Sequence, residues 1–147
     1  MSKQIRLKIA TPEKLVLEEL VDSVTLPTTE GQITVLPRHI PLLAGLSSGD
    51  IVATKDNESI PMAMVGGFVE IKEESGITTV VILTDFAEHV ATITEEEIRK
   101  AKTRAEELQK QASNKEIVDF EHFESELERS LTRIKIADKW RTKKYRK

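Results

Sequence analysis

The chain has 147 residues and a mass of 16.6 kDa, with 39% apolar residues, 32% charged residues and a formal net charge of −3, which suits one ordinary domain or a small domain with an appendage. Aromatic residues make up only 4%, so the core must be aliphatic, and the absence of cysteine excludes disulfides, thiolate metal sites and a cysteine nucleophile. No stretch approaches the roughly 18 apolar residues that cross a bilayer, and residues 1–6 show neither an apolar nor an Arg/Ser-rich leader, so the chain is expected to stay in the compartment where it is made.

Character changes near Glu88. All five prolines and all six glycines precede it, among segments rich in Val, Ile, Leu and Thr, while Glu, Lys, Arg and Ala dominate after it. The shift predicts a β-rich domain over residues 1–88 and a helical one over residues 89–147. In the first part Ile5, Leu7 and Ile9 alternate with polar residues, the period of a half-buried strand. Leu15-Val16-Leu17, Val24-Thr25-Leu26, Ile33-Thr34-Val35-Leu36, Ile51-Val52-Ala53, residues 60–71 and residues 78–84 continue the series. Turn residues separate them at Thr11-Pro12, Glu30-Gly31, Ser48-Gly49-Asp50, Asp56-Asn57 and Ser75-Gly76. Short strands without intervening helices predict a β-sandwich or flattened barrel. Gly66-Gly67 inside a strand pattern marks a bulge or a close backbone approach.

The second part reads as a two-helix hairpin, giving an α+β chain. Thr94-Glu95-Glu96-Glu97 has the form of a capping box, with acids suited to the positive end of the helix dipole. Ile98, Ala101, Ala105, Leu108 and Ala112 form one stripe at spacings of three and four. Ala112-Ser113-Asn114 is the expected break, with Asn114 as the next N-cap. The second helix carries Ile117, Phe120, Phe123, Leu127, Leu131, Ile134 and Ala137, with Trp140 near its end, a richer stripe than its partner's, so part of it is expected to serve another surface, the sandwich or another protein. A stripe of alanines buries little area against its partner, so a weakly held arm on a stable sandwich follows.

Catalytic constellations are scarce. His39, His89 and His122 are the only histidines, and no HExxH, GxSxG or metal-spaced cluster occurs; no catalytic residue and no metal site is expected. His89 and His122 read as surface groups. Residues 133–147 carry eight basic side chains, including Arg133, Lys135, Lys139, Arg141, Lys143 and Lys144, against one acid, Asp138. Such an end favours an acidic surface, nucleic acid or anionic lipid. Trp140 and Tyr145 among these cations would suit base stacking, although a sequence pI of about 5.7 opposes a nucleic-acid surface.

Several segments occur together in order: Thr11-Pro12-Glu13; Glu30-Gly31-Gln32-Ile33-Thr34-Val35-Leu36-Pro37-Arg38-His39-Ile40-Pro41-Leu42-Leu43; Gly66-Gly67-Phe68-Val69-Glu70-Ile71; Val81-Ile82-Leu83-Thr84-Asp85-Phe86-Ala87-Glu88; and Arg104-Ala105-Glu106. Their order and spacing resemble the epsilon subunit of the rotary, proton-translocating ATP synthases over roughly residues 5–108, and more weakly to the end. Arg38 stands where the family commonly has Gly, and Val65 where it often has Ser. The resemblance implies a non-catalytic central-stalk subunit. Its sandwich would bind the gamma subunit and rest on the c-subunit ring, with Glu30, Gln32 and His39 at the ring contact. Its helices would fold down or extend into the alpha/beta head to block ATP hydrolysis, using the basic arm. It also implies membrane association only through the complex, on the cytoplasmic face of a bacterial inner membrane or the stromal face of a thylakoid. Some family members bind ATP on the folded hairpin through Ile-Asp, an Arg-Ala three residues after the Asp, and a later Arg-Ala-Glu. Here Ile93 and Arg104-Ala105-Glu106 match, Glu88 stands at the preceding acid, and Arg129 and Arg133 stand at the second-helix arginines. Thr94, Glu97 and Ile98 depart from the motif. Half a site implies weak ATP binding, millimolar or none, and no other cofactor. By helical geometry alone Arg129 reads as a solvated side chain.

Overall fold

A computed structural model describes residues 3–113 and 120–146. Eight strands come first: β1 (Ile5–Ala10), β2 (Leu15–Val21), β3 (Ser23–Thr28), β4 (Gly31–Val35), β5 (Leu42–Leu46), β6 (Gly49–Lys55), β7 (Glu58–Glu74) and β8 (Ile77–His89). A 3-10 turn (Val90–Thr92) leads into α1 (Glu95–Ser113) and α2 (Phe120–Trp140). The strands pair in the order β2-β1-β8-β7-β5-β3-β4, and β6 joins β3 to β7. That last link folds the sheet onto itself, so the amino-terminal β-sandwich and carboxy-terminal helical hairpin stand as the composition predicts.

Alternation explains the core. In β1, Ile5, Leu7 and Ile9 are fully buried while Arg6 and Lys8 face solvent. Val24 and Leu26 of β3, Ile51 of β6 and Val80 and Ile82 of β8 fill the same interior. Two hairpins are closed by consecutive residues with positive φ, Asp56-Asn57 (51° and 66°) and Ser75-Gly76 (53° and 80°), the backbone that matches strand twist in two-residue turns.

Strand β7 is long because it serves two neighbours. Its first half pairs with β6 from Glu58 to Met64, and its second with β5 from Gly67 to Ile71. The exchange happens at Gly66-Gly67, where φ is 49° and 143°. A Cβ on Gly67 would lie 2.1 Å from the carbonyl oxygen of Leu83, so the glycine pair is the close backbone approach that its place in a strand suggests. The Thr84 hydroxyl donates to the Val65 carbonyl at 2.9 Å and supports this bend.

The hairpin opens on both halves of the capping box. The Glu97 amide donates to Thr94 Oγ1, and the Thr94 amide donates to Glu97 Oε2, each at 3.2 Å. Ile98, Ala101, Ala105 and Leu108 are buried as the stripe predicts. The second stripe needs correction. Phe123, Ala137 and Trp140 are buried, but Leu131 is 45% exposed and Ile136, outside the stripe, is buried. As the richer stripe suggests, α2 serves a second surface, the sandwich, so its buried face is not one straight line. Ile136, Ala137 and Trp140 pack with Ala63 of β7, Val90, Ile93 and Ile98. The expected N-cap Asn114 and the stripe members Ala112, Ile117 and Phe120 lie outside the residues whose side chains are described.

Candidate functional site: the loops, the sheet face and the arm

Glu30 sits exposed in the β3–β4 turn, its amide donating to Thr28 Oγ1 at 3.3 Å. Gln32 follows on β4, an edge of the sheet. His39 lies in the β4–β5 loop, half-buried, its Nδ1–H donating to the Ile40 carbonyl at 2.7 Å. Residue 38 has φ of 72° and donates its amide to Thr78 Oγ1 at 2.7 Å. Arg38 thus holds a left-handed backbone that favours Gly. The structure brings Glu30 and Gln32 together but sets His39 in the loop beyond the other end of β4, a strand that spans about 14 Å at about 3.4 Å per residue. A surface containing all three must take in both ends of β4. Beside His39, Leu36, Ile40 and Leu43 are 57–72% exposed.

A second surface went unassigned in the sequence reading. Phe68 and Leu83 are 64% and 57% exposed and face each other across β7 and β8, with Leu83 paired in turn to Ala10 of β1. A shallow groove of about 370 Å³ runs between them and Pro12. The signal was in the alternation. Val69 and Ile82 point inward, so Phe68 and Leu83 occupy outward positions where a solvated face would carry polar residues.

The half-matched nucleotide residues do converge. An open cleft of about 950 Å³ between α1 and α2 is lined by Arg104, Arg129 and Arg133, together with Arg99, Lys100, Glu96, Glu97, Glu107 and Glu126. Arg104, Arg129 and Arg133 already have partners. Arg104 makes a bidentate pair with Glu126 at 2.5 and 3.0 Å and a further bond to Glu107 at 3.2 Å. The Arg104 hydrogen bond holds the Glu126 carboxyl below its ordinary value, against a smaller opposing effect of burial. Arg133 binds Glu88 at 2.9 Å, with its guanidinium 4.8 Å from the Phe86 ring. Arg129 is not the solvated side chain expected of it. It is half-buried, donates to the Asp85 carbonyl at 3.2 Å and lies 5.6 Å from the same ring. Four carboxylates against five cations leave the cleft nearly neutral, a poor trap for a polyphosphate.

The basic end folds down onto the sandwich. Asp50 accepts from Lys139 Nζ at 2.8 Å and from the Trp140 indole at 2.9 Å. Glu19 accepts two bonds from Arg146, at 2.5 and 2.7 Å, and one from Lys55 at 3.2 Å. The Arg146 hydrogen bonds carry the Glu19 carboxyl down to about 2, outweighing the opposing effect of burial. Arg141 pairs with Asp138 of its own helix at 3.5 Å. Lys135, Lys143 and Lys144 are exposed, and Lys143 Nζ lies 5.2 Å from the Trp140 ring. Trp140 is buried, with the Tyr145 ring edge-on at 6.0 Å. Its indole is therefore not offered to a nucleic-acid base. His89 caps the 3-10 turn through Nδ1, which accepts the Ala91 amide at 2.9 Å. Burial lowers its pKa, and the nearby Arg146 charge adds to that. Among the described residues no group of His, Asp and Glu is placed to hold a metal ion, and no helix is long and apolar enough to cross a membrane.

Comparison with known proteins gives one answer. The family profile described as "ATP synthase, Delta/Epsilon chain, beta-sandwich domain" matches residues 4–101. The ATP synthase epsilon chain of Nitratidesulfovibrio vulgaris is 38% identical over 92% of this chain and 97% of its own length. That of Halalkalibacterium halodurans is 38% identical over 90% and 96%. Among solved structures, a chain of the Euglena gracilis mitochondrial ATP synthase (OSCP, F1 and c-ring) is superposable at a TM-score of 0.61. It is 22% identical, with 94% of this chain and 79% of that one covered. With a profile spanning the whole sandwich and relatives aligned through the hairpin, this chain belongs to the ATP synthase epsilon chain family.

Proposed function

We propose that the chain is a non-catalytic coupling and regulatory subunit in the central stalk of a rotary ATP synthase. The observation that carries this reading is the division of its surface. The sandwich keeps an apolar sheet face at Phe68 and Leu83, exposed loops at Glu30 and His39, and a separate flank to which the arm is tied. A large aromatic–aliphatic pair facing outward on a rigid sheet suits a permanent partner, and the gamma subunit is the partner assigned to it. The loops carrying Glu30, Gln32 and His39 are assigned to the c-ring, and the arm to the alpha/beta head. Solved structures of similar fold come from F1 and c-ring assemblies and from a central stalk with its c-ring, which supports these assignments. The subunit would then be peripheral, held at the cytoplasmic face of a bacterial inner membrane, or the stromal face of a thylakoid, through its complex.

Inhibition is assigned to the arm acting in its extended form. Arg133 and Lys139 are held by Glu88 and Asp50 in the folded form, so an acidic surface in the head must displace these carboxylates before it can use the same cations. Lys135, Arg141, Lys143 and Lys144 complete the basic arm. ATP is assigned a minor part. Arg104 and Arg133 are compensated by carboxylates, and Glu97 both caps α1 and lines the cleft, where it would repel phosphates. Removing residues 90–147 leaves β8 whole and is expected to preserve assembly with gamma while raising ATP hydrolysis by the complex. Unchanged hydrolysis in a fully assembled complex would refute the inhibitory role. Titration calorimetry of the isolated subunit is expected to show millimolar ATP binding at best.

A further inference from the structure

We propose that Tyr145-Arg146 is a latch that holds the helical arm against the sandwich, with Glu19 and the open edge of β7 as its keeper. This deepens the reading of the arm as a regulatory element and concerns how its folded form is retained.

The tail reaches back further than helix packing requires. After α2 ends, the Arg141 amide donates to Asp138 and the Lys143 amide to Trp140, so the chain turns at once. Three residues after Lys143 the Arg146 amide donates to the Ser59 carbonyl at 2.7 Å. That carbonyl lies where β7 has no neighbour on this side, because β8 pairs with it only from Met62 onward. The tail therefore fills a vacant strand edge. The Arg146 side chain then reaches Glu19 of β2 in a bidentate pair, a geometry in which two parallel charged bonds fix direction as well as strength. Between these anchors the Tyr145 ring lies 6.0 Å from Trp140 and 6.3 Å from His89. Trp140 is the end of the arm and His89 is its root, so one residue touches both.

Three features mark this contact as releasable. Arg146 and Glu19 side chains are 34% and 20% exposed, so water and salt reach the pair. Glu19 also binds Lys55 at 3.2 Å, so the carboxylate keeps a cationic partner when Arg146 departs and the open state leaves no orphaned charge. The tail contributes no residue to the sandwich core, so release does not disturb it.

The experiment uses the full chain, whose lack of cysteine allows spin labels at Lys14→Cys on the sandwich and Lys102→Cys on α1, both exposed positions. Electron–electron distance measurements report folded and released populations. Arg146→Gln is expected to raise the released-to-folded ratio about fivefold, the effect of a partly exposed charge pair. Glu19→Gln should do the same, and the double variant should add little to either. Raising salt to about 0.5 M should raise the released-to-folded ratio more in the parent chain than in Arg146→Gln, whose remaining salt response comes from the Arg133–Glu88 and Lys139–Asp50 pairs. An unaltered distribution in Arg146→Gln, fully additive effects of the two changes, or an arm already released in the parent chain would each overturn the latch. Because Arg146 lies beyond the last helix, its replacement tests the idea even if Glu19→Gln perturbs folding. The readout needs no ATP synthase, so its failure is distinct from failure of the inhibitory role.

Discussion

The sandwich and the arm are stabilised in different ways. Ile5, Leu7, Ile9, Leu26, Ile51 and Ile82 are wholly removed from water in the sandwich, and the strands around them are joined by ladders in which only the edges are open. Where the arm meets the sandwich, the buried set is smaller and includes Ala63 and Ala137. Charged contacts do much of the rest: Arg133 to Glu88, Lys139 to Asp50 and Arg146 to Glu19. Aliphatic burial is not screened by salt, while partly exposed ion pairs weaken as salt rises. The difference teaches that one chain can carry a permanent scaffold and a detachable element without a flexible linker of special composition. What differs is the kind of contact, and the two halves can therefore be broken separately.

The largest effect is expected in the scaffold. Gly67→Ala places a Cβ 2.1 Å from the Leu83 carbonyl oxygen at a φ of 143°. Neither strand can yield without breaking the ladder at the point where β7 changes partners. A loss of at least about 3 kcal/mol is expected, by overpacking and backbone strain together, and chemical denaturation will measure it. A variant within 1 kcal/mol of the parent would mean that the β7–β8 approach is looser than described.

Next comes the arm. Trp140→Ala removes a buried ring and an indole bond to Asp50, at a cost of about 3 kcal/mol to arm docking. Amide exchange should show α1 and α2 losing protection while β1, β7 and β8 keep theirs. If the sandwich ladder loses protection equally, the two halves are one cooperative unit and the contrast drawn above fails. A smaller change of opposite sign is expected at Arg38→Gly. Relief of a left-handed backbone at φ 72° offsets the greater freedom of glycine in the unfolded chain, leaving a gain of about 0.5 kcal/mol. A rise in the sandwich melting temperature with no change in arm protection would assign the strain to the scaffold alone.

How much of this could be read beforehand follows from what each feature depends on. Ile5, Leu7 and Ile9, the turn at Asp56-Asn57 and the capping box at Thr94 and Glu97 depend on neighbours a few residues away, and all were legible. That α2 has a second surface was legible in its rich stripe, but Leu131 proved exposed and Ile136 buried because the faces it gives to α1 and to the sandwich do not lie on one line. Phe68 and Leu83 were readable in principle, as apolar residues of outward parity, but were seen only as family motif. The separation of Glu30 from His39 depends on which way β4 runs between them. Arg129 reaching Asp85 and Arg146 reaching Glu19 join residues 44 and 127 positions apart, and no local pattern encodes such a pair.

The smallest expected effect separates the root of the arm from its latch by pH. His89 has its pKa lowered by burial first and by the Arg146 charge second. The folded chain therefore binds this proton less readily than the unfolded chain, whose histidine titrates near 6.5. Stability from this group is present above pH 6.5 and declines as pH falls below it, because the unfolded state then holds the extra proton. In the folded chain the His89 Nδ1 lone pair accepts the Ala91 amide, an acceptor that protonation there would remove. Glu19 behaves likewise in a lower window. Its carboxyl, held at about 2 by Arg146, contributes fully above its ordinary value of 4.5 and is lost only as pH falls from there. Between pH 7.5 and 5.5 the histidine acts and Glu19 does not, so arm protection should fall by less than about 0.5 kcal/mol through His89 across that interval. His89→Asn can still accept the Ala91 amide but does not titrate, and should flatten the profile. A decline that survives His89→Asn would place the titrating group elsewhere and detach the pH response from the root of the arm.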